Sequence, residues 1–468
     1  MQFESTRGNS DAKGFDDVLL SALADDGGLF VPTELPRLRT DAIRALRGLS
    51  YTELAGRLLP HLIGTHVEPR ALQDMIDDAY STFHHPAVAP MKQLNDQIWL
   101  MEMFHGPTLA FKDFALQLLG RLLDHELLQR GEKAVIVGAT SGDTGPAAIE
   151  ACRDRDAIDL FMLHPKGWVS NVQRRQMTSV DAPNIHNLAV TGTFDDCQAL
   201  VKQLLNDPSL AQQRRHVTAV NSINWARVAA QVVYYFYAAL ALGAPDRAVN
   251  FAVPTGNFGN VYAGHLARRM GLPIDRLIIA SNRNDILTRF FETGTMEARA
   301  VEPSLSPSMN IQISSNFERL LFELYDRDGI AIGALMETFR TSGTFSVTPD
   351  VIARARTLFS AQRLSDEETL AVMLRFFEEC GELLDPHTAI GVGAAASIGA
   401  ACDGPIIVLG TAHPAKFPDA VAQATGQEPN VPDHLAVVFE LPEKAEDIAP
   451  CGDMIRALIL NSGNPEAA

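Results

Sequence analysis

The stretch AVIVGATSGDTGPAAIEAC, residues 134–152, decides the reading of the fold. It opens on a continuously apolar, β-branched run, passes through Ser141, Gly142, Asp143, Thr144 and Gly145, and closes on an alanine-rich segment. That order predicts a strand, a tight loop and a helix. A run without alternation suits a strand buried on both faces, and a parallel neighbour requires a crossover, usually helical. Six further β-rich runs recur, most of them continuously apolar: DLFMLHP (159–165), HNLAVTG (186–192), HVTAVNS (216–222), VNFAVPT (249–255), RLIIASN (276–282) and PIIVLGT (405–411). Most end in small or polar residues, which places loops at the carboxyl ends of strands, where open α/β sheets hold ligands. The expectation is an α/β protein built on parallel sheets.

Bulk properties narrow the functional classes. A chain of 468 residues exceeds what one hydrophobic core supports and predicts two or three domains. Its 46% apolar and 21% charged residues are those of a folded globular protein. A formal net charge of -18, relieved by no Lys/Arg run, excludes non-specific nucleic-acid binding, so an anionic ligand needs a local site. Cys152, Cys197, Cys380, Cys402 and Cys451 are scattered, odd in number and form no C-x-x-C pair, which points to a reduced cytosol. The polar opening MQFESTRGNSD reads as neither a secretory signal nor a transit peptide, so a cytoplasmic location is expected. The most membrane-like segment, VAAQVVYYFYAALALGA (228–244), is short and contains Gln231; it reads as a buried core helix.

The first hundred residues read as loops and amphipathic helices. GGLFVP is a turn into a short apolar run, while TDAIRALRGL and PRALQDMIDDAY have helical periodicity. They carry no evident chemistry. Between RLIIASN and PIIVLGT a long, mainly helical insertion is expected at 283–400.

Three strand ends carry functional groups. In the opening stretch, small residues let backbone N–H groups approach a ligand and the helix N-terminus adds partial positive charge, which favours an anion; a plain tight turn with an N-cap explains the same residues. The loop has neither the G-K-[ST] of a P-loop nor the G-x-G-x-x-G of dinucleotide folds. PTGNFGNVYAGHLARRMG (254–271) repeats the arrangement, and Gly256, Asn257, Phe258, Gly259 and Asn260 offer N–H groups and two side-chain amides to a phosphate, with an ordinary Asn/Gly turn as the alternative. It is the better cradle of the two, because Asp143 would repel a dianion unless its side chain turns away to cap the helix. In VLGTAHPAKFPDAV (408–421) a strand ends at Thr411, followed by His413 and Lys416. A threonine hydroxyl there commonly satisfies backbone.

One lysine gives these loops a common purpose. In HGPTLAFKDFALQLLG (105–120), Lys112 shares a helical face with Leu116, Leu119 and Leu123, opposite Asp113, Gln117 and Asp124. By itself this is a snorkelling side chain or a buried amine whose pKa is lowered and whose lone pair is nucleophilic. An amine, a phosphate cradle and a group to face a ring nitrogen are together what pyridoxal phosphate requires.

GPTLAFKDFA, TSGDTG, PTGNFGN, SSNFERLLFE, DPHTAIGV and GTAHPAKFP jointly resemble the threonine synthase family, and STRG…DDGGLFVP extends the likeness to nearly the whole chain. The family consists of pyridoxal phosphate enzymes with the fold of the tryptophan synthase β-subunit, fold type II. The resemblance implies conversion of O-phospho-L-homoserine and water to L-threonine and phosphate. It makes Lys112 the Schiff-base lysine, Gly256 to Asn260 the cofactor-phosphate loop, and Thr411 the hydroxyl that faces the pyridine nitrogen and leaves it unprotonated. Ser141, Asp143 and Thr144 fall where relatives hold the amino-acid end of the substrate, although many relatives carry asparagine in place of Asp143. Candidates for the substrate phosphate are Lys166 with Asn171 and Arg174 or Arg175, and Ser314, Ser315, Asn316 and Arg319. A solvated helix face for the two arginines, and a helix cap for Ser315 and Asn316, are the alternatives.

The resemblance also implies a division into an N-terminal region at 1–95 and a catalytic region at 96–468. Within the latter, a smaller mobile α/β domain at about 116–244 and a larger cofactor domain at 96–115 and 245–468 are expected. No metal, nucleic acid or membrane is expected, and the assembly is a monomer or homodimer. The alternatives are another fold type II lyase, such as serine/threonine dehydratase, whose substrate has no phosphate, and a binding protein that keeps the fold without catalysis.

Overall fold

The computed structural model describes residues 1–210, 215–219 and 222–462. The chain divides into two compact units: Met1–Val18, Leu23–Phe111 and Ser222–Asn430 form one, and Leu19–Ala22, Lys112–Asn221 and Val431–Ala468 the other.

The first unit is organised by a six-stranded sheet in the order Phe359–Arg363, Ile274–Ser281, Val249–Pro254, Ile406–Gly410, Ile98–Glu102, Met91–Gln93. Neighbours are parallel except for the last pair. Val249–Pro254 and Ile406–Gly410 are buried at every residue; the second is an unbroken apolar run, and the first includes Asn250, whose amide donates to the Asp403 carbonyl at 2.8 Å. Each fully buried Val, Ile, Leu or Phe there is worth roughly 1.5–3 kcal/mol. Helix Pro386–Ile398 covers one face, joining Ile390 and Val392 to Leu100, Ala252, Ile278 and Val408 in one core. It lies so close that a Cβ on Gly391 would stand 2.9 Å from Val408 Cγ1. Phe251, which alternates with Ala252 and so faces the other way, meets the ring of Tyr235 at 4.6 Å. Tyr235 belongs to helix Trp225–Ala241, which packs on helix Gly259–Arg269.

Parts of this unit depart from the sequence reading. The insertion at 283–400 is mainly helical, yet it also supplies Phe359–Arg363 as an edge strand of the sheet. That strand is short and mostly half-buried, so it has no continuous apolar run to betray it. The first hundred residues contain, besides helices, an antiparallel sheet of Lys13–Gly14, Gln2–Ser5 and Phe30–Pro32. Phe3 anchors it, fully buried with its ring 5.6 Å from that of Trp225. The apolar segment at 228–244 lies largely within the buried helix Trp225–Ala241, and no described helix is long and apolar enough to cross a membrane.

The second unit holds a parallel five-stranded sheet in the order Glu446–Ile448, Ile185–Val190, Ile158–Pro165, Lys133–Ala139, Arg215–Thr218. Val135, Val137, Phe161, Leu163, Leu188 and Val190 join Leu200 and Leu204 of helix Phe194–Leu205 and Ile455 of helix Gly452–Asn461 in its core. Helix Thr144–Cys152 packs on helix Lys112–Arg130, where a Cβ on Gly120 would stand 2.3 Å from the Ala151 carbonyl oxygen, so only glycine permits the approach. The expected strand at 216–222 is described through Thr218; Val220 and Asn221 lie outside the described residues.

Helix Lys112–Arg130 is buried nearly all round rather than amphipathic: Asp113, Gln117, Arg121 and Glu126 are all buried. Arg121 donates to the carbonyl and to the side-chain oxygen of Gln117, at 2.8 and 3.0 Å, and Arg130 donates to Glu126 at 2.6 Å. The helix thus satisfies part of its buried polarity one turn away. The compact units also cut the chain differently from the expected division. Residues 222–244 go with the first unit and residues 431–468 with the second, and residues 1–95 are not a body of their own. Packing decides both exchanges: Trp225–Ala241 covers the first sheet, and Glu446–Ile448 pairs with Ile185–Val190.

Candidate active site

The loop after Val249–Pro254 is a cradle of backbone donors. Phe258 has φ 63, a left-handed conformation that turns the chain into helix Gly259–Arg269, whose first N–H groups have no partner within the helix. The Phe258 side chain supplies anchorage; it is buried, its ring 5.0 Å from that of Phe317 and perpendicular to it. At Gly256 a Cβ would stand 2.9 Å from Ile311 Cδ1 and 3.1 Å from the Ser308 carbonyl oxygen, so glycine keeps the lip of the loop open. Asn260 is buried and its Nδ2 has no hydrogen-bond partner among the described residues.

Ser314, Ser315 and Asn316 are stitched to this loop. The Ser314 hydroxyl donates to the Gly256 carbonyl at 2.7 Å, and the Ser315 hydroxyl reaches Asn257 Oδ1 at 3.3 Å. Asn316 donates to the Asn257 carbonyl from its backbone N and from Nδ2, each at 3.0 Å, and from Nδ2 to the Ser222 carbonyl at 3.0 Å. Asn316 makes no side-chain cap of helix Phe317–Leu324. Arg319, fully buried, donates to Asn316 Oδ1, to the Phe30 carbonyl at 3.0 Å and to the Ile223 carbonyl at 2.7 Å. Its guanidinium is a structural tie, spent on backbone.

A cation that the sequence reading passed over stands nearby in the chain. Arg227, in the first turn of helix Trp225–Ala241, is 5% exposed, and its Nε and NH1 are buried without a hydrogen-bond partner among the described residues. Burial pulls its pKa down to about 10, so it stays charged at neutral pH. Two buried guanidinium nitrogens without partners are costly and point to an anionic ligand. WAR within a long apolar helix gave one signal, a charged residue where every neighbour is core, but the fragment reads equally as a helix-terminal arginine.

At the end of Ile406–Gly410, Thr411 is buried and its Oγ1 has no hydrogen-bond partner, while its N donates to Thr388 Oγ1 at 3.1 Å and its carbonyl accepts from Phe111 N at 2.9 Å. Satisfying backbone is therefore not what this hydroxyl does. The buried Lys416 donates to the Thr108 carbonyl at 2.7 Å. His387 lies between Asp385, 2.8 Å from its Nδ1, and the Ser308 N–H, which donates to Nε2 at 3.3 Å; this arrangement holds the backbone that faces Gly256. His105 is paired with Glu102 at 2.7 Å, and Phe111 is half-buried.

In the second unit, Lys112 opens helix Lys112–Arg130 with its side chain 12% exposed and its Nζ 3.8 Å from Asp143 Oδ2. A snorkelling lysine would reach water. Asp143 is 3% exposed and accepts from Gln173 Nε2 at 2.8 Å; it does not cap helix Thr144–Cys152. Thr140 shapes the loop instead, its hydroxyl accepting from Gly142 N at 3.2 Å and from Gly145 N at 3.0 Å. Ser141 is exposed and Thr144 half-buried. Lys166 is exposed and ion-paired with Asp447 at 2.6 Å, and Arg174 and Arg175 both pair with Glu443. These cations are thus neutralised by the C-terminal segment of the same unit.

The residues present fit pyridoxal phosphate: a cradle of helix-terminal N–H groups, a buried amide donor at Asn260, a hydroxyl without a protein partner at Thr411 and a largely buried amine at Lys112. Residues 82–339 match the family described as pyridoxal-phosphate dependent enzyme, and the chain is a pyridoxal phosphate enzyme of fold type II. Residues 2–80 and 388–459 match the families described as threonine synthase N terminus and threonine synthase, C-terminal. Threonine synthase of Pseudomonas aeruginosa is 52% identical over 465 residues, 99% of each chain. The crystal structure of PLP-bound threonine synthase from Brucella melitensis superposes with a TM-score of 0.97 at 50% identity, covering 99% of this chain and 100% of that one. For threonine synthase from yeast the TM-score is 0.93 at 38% identity, over 98% of each chain. The chain belongs to the threonine synthase family.

Proposed function

We propose that the chain converts O-phospho-L-homoserine and water into L-threonine and inorganic phosphate, in the cytoplasm. The observation that carries the substrate is Arg227. The unit that holds the 256–260 loop also holds a buried cation with two unpartnered nitrogens, so it offers one anion feature more than the cofactor needs. A dehydratase acting on serine or threonine has no substrate phosphate to neutralise such a charge. The five free cysteines support a reducing compartment.

Bound pyridoxal phosphate supplies an electron sink for charge developing on the substrate carbons. Lys112 Nζ holds the cofactor in the resting enzyme and moves protons at the substrate Cα and Cβ during turnover. Asp143 is the anion beside this amine, its Oδ2 3.8 Å from Nζ. The N–H groups and amides of Gly256, Asn257, Phe258, Gly259 and Asn260 bind the cofactor phosphate, and the Thr411 hydroxyl donates to the ring nitrogen. Ser141, Asp143 and Thr144 receive the amino-acid end of the substrate, the helix N-terminus suiting its carboxylate. Arg227 supplies the principal charge for the substrate phosphate, and Ser315 and Lys166 are the further candidates for that anion. Asn316 acts by holding Asn257.

The test is a phosphate-release assay on O-phosphohomoserine with the amino-acid product identified. Equal amounts of phosphate and threonine are expected. An enzyme that leaves phosphohomoserine intact and instead makes 2-oxobutanoate from threonine would overturn the proposal.

A further inference from the structure

The Asn260 side chain is held from behind the cradle by two phenols. Its Oδ1 accepts from the Tyr234 hydroxyl at 2.7 Å and lies 2.9 Å from that of Tyr235, which also reaches the Asn260 backbone carbonyl at 2.8 Å. Its Nδ2 is left without a partner. Packing fixes both rings. Tyr235 meets Phe251 edge to face at 4.6 Å and lies against Gly264, where a Cβ would stand 2.7 Å from its Cε1. Tyr234 lies 5.2 Å from Tyr235, and its hydroxyl is 3.2 Å from Gln231 Oε1. Both phenols are fully buried, and burial pushes their pKa values well above the ordinary range, so they remain hydrogen-bond donors.

We propose that Tyr234 and Tyr235 are positioning residues that fix the rotation of the Asn260 amide, so that its NH2 faces the cofactor phosphate. The inference rests on the reading of 256–260 as the cofactor-phosphate loop. An amide turned the other way would set Oδ1, an acceptor, against the acceptor oxygens of a dianion. Phenol hydrogens on Oδ1 hold that oxygen away and leave both amide hydrogens for the phosphate. Asn260 thereby becomes a directed donor instead of one free to turn.

The experiment titrates the apoenzyme with pyridoxal phosphate and, separately, with pyridoxal, which lacks the phosphate, in Tyr234→Phe, Tyr235→Phe, Asn260→Ala and the combinations of each tyrosine change with Asn260→Ala. Each phenylalanine variant is expected to bind pyridoxal phosphate about tenfold more weakly, the worth of one well-placed hydrogen bond, while its affinity for pyridoxal stays within about twofold. Once Asn260 is alanine, the Tyr234 change has no further effect, and the Tyr235 change keeps only what its bond to the backbone carbonyl of residue 260 contributes. Equal losses for both ligands, no loss for either, or a tyrosine effect undiminished beside Asn260→Ala would each overturn the positioning role. If Asn260→Ala itself binds pyridoxal phosphate as tightly as the parent, the phosphate-loop reading fails and takes this inference with it. The two tyrosine variants are independent, so one that fails to fold leaves the other to decide.

Discussion

At the scale of single residues, the site is a set of polar atoms deprived of protein partners. Thr411 Oγ1, Asn260 Nδ2 and Arg227 Nε and NH1 are all buried and unbonded, whereas the other buried cations among the described residues, Arg121, Arg319 and Lys416, are tied to carbonyls. Such atoms destabilise a fold unless a ligand completes them. Arg227→Met is therefore expected to raise the melting temperature while raising KM for phosphohomoserine about a hundredfold or more, as loss of a buried charge contact does. Thermal denaturation and steady-state kinetics read the two effects separately, and an unchanged KM would remove Arg227 from the substrate site. Lys112→Ala is expected to stay folded and lose turnover by more than about a thousandfold, with no visible band that borohydride can trap on the protein. Lys112 was legible in the sequence as an amine on an apolar face. Arg227 was not, because an unpartnered guanidinium is a property of its surroundings.

At the scale of elements, one loop braces another. Ser314 to Asn316 lie about sixty positions from the 256–260 loop, yet every hydrogen bond described for Ser314 and Asn316 above serves that loop, its neighbour Ser222 or the Arg319 tie. Read as sequence, Ser-Ser-Asn before FERLLFEL is a helix cap, since capping residues and loop braces are the same short polar side chains. Only the long-range partner tells them apart. Asn316→Ala removes donors to Asn257 and Ser222 and leaves Arg319 short of an acceptor; it is expected to cost about 1–3 kcal/mol of stability and to weaken pyridoxal phosphate binding about tenfold. Chemical denaturation and a cofactor titration measure these, and intact cofactor affinity would restrict Asn316 to a packing role. Helix Lys112–Arg130 teaches the same lesson. Its polar stripe suggested solvent on one side, but Gln117, Arg121, Glu126 and Arg130 bond among themselves, which lets a helix with charged residues be buried.

At the scale of the whole molecule, buried histidines couple stability to pH. Both ring nitrogens of His265 are sealed without partners, and burial lowers its pKa from 6.5 to about 3. Burial also lowers His164 and His186. As pH falls through about 6.5 the unfolded chain protonates these rings while the native one does not, so the unfolded state binds more protons and stability declines on acidification, for His265 down to about pH 3. One such histidine is worth about 1.5 kcal/mol between pH 6.5 and pH 5 by the linkage relation. Urea unfolding at those two pH values is expected to show the decline, and His265→Leu to flatten part of it; an unaltered slope in that variant would mean that the ring is protonated in the native state.

The seven β-rich runs, most of them continuously apolar, were enough to place seven parallel strands, because a strand buried on both faces needs no partner's identity to be recognised. Quoted motifs likewise carried the family, since local residue order writes them. Tertiary structure alone decided the rest: the half-buried edge strand Phe359–Arg363, the transfer of 222–244 and 431–468 between units, the orphaned Arg227, and the two tyrosines behind Asn260. Each of these depends on contacts or burial set by residues distant in the chain, and no local pattern records which distant residue will arrive.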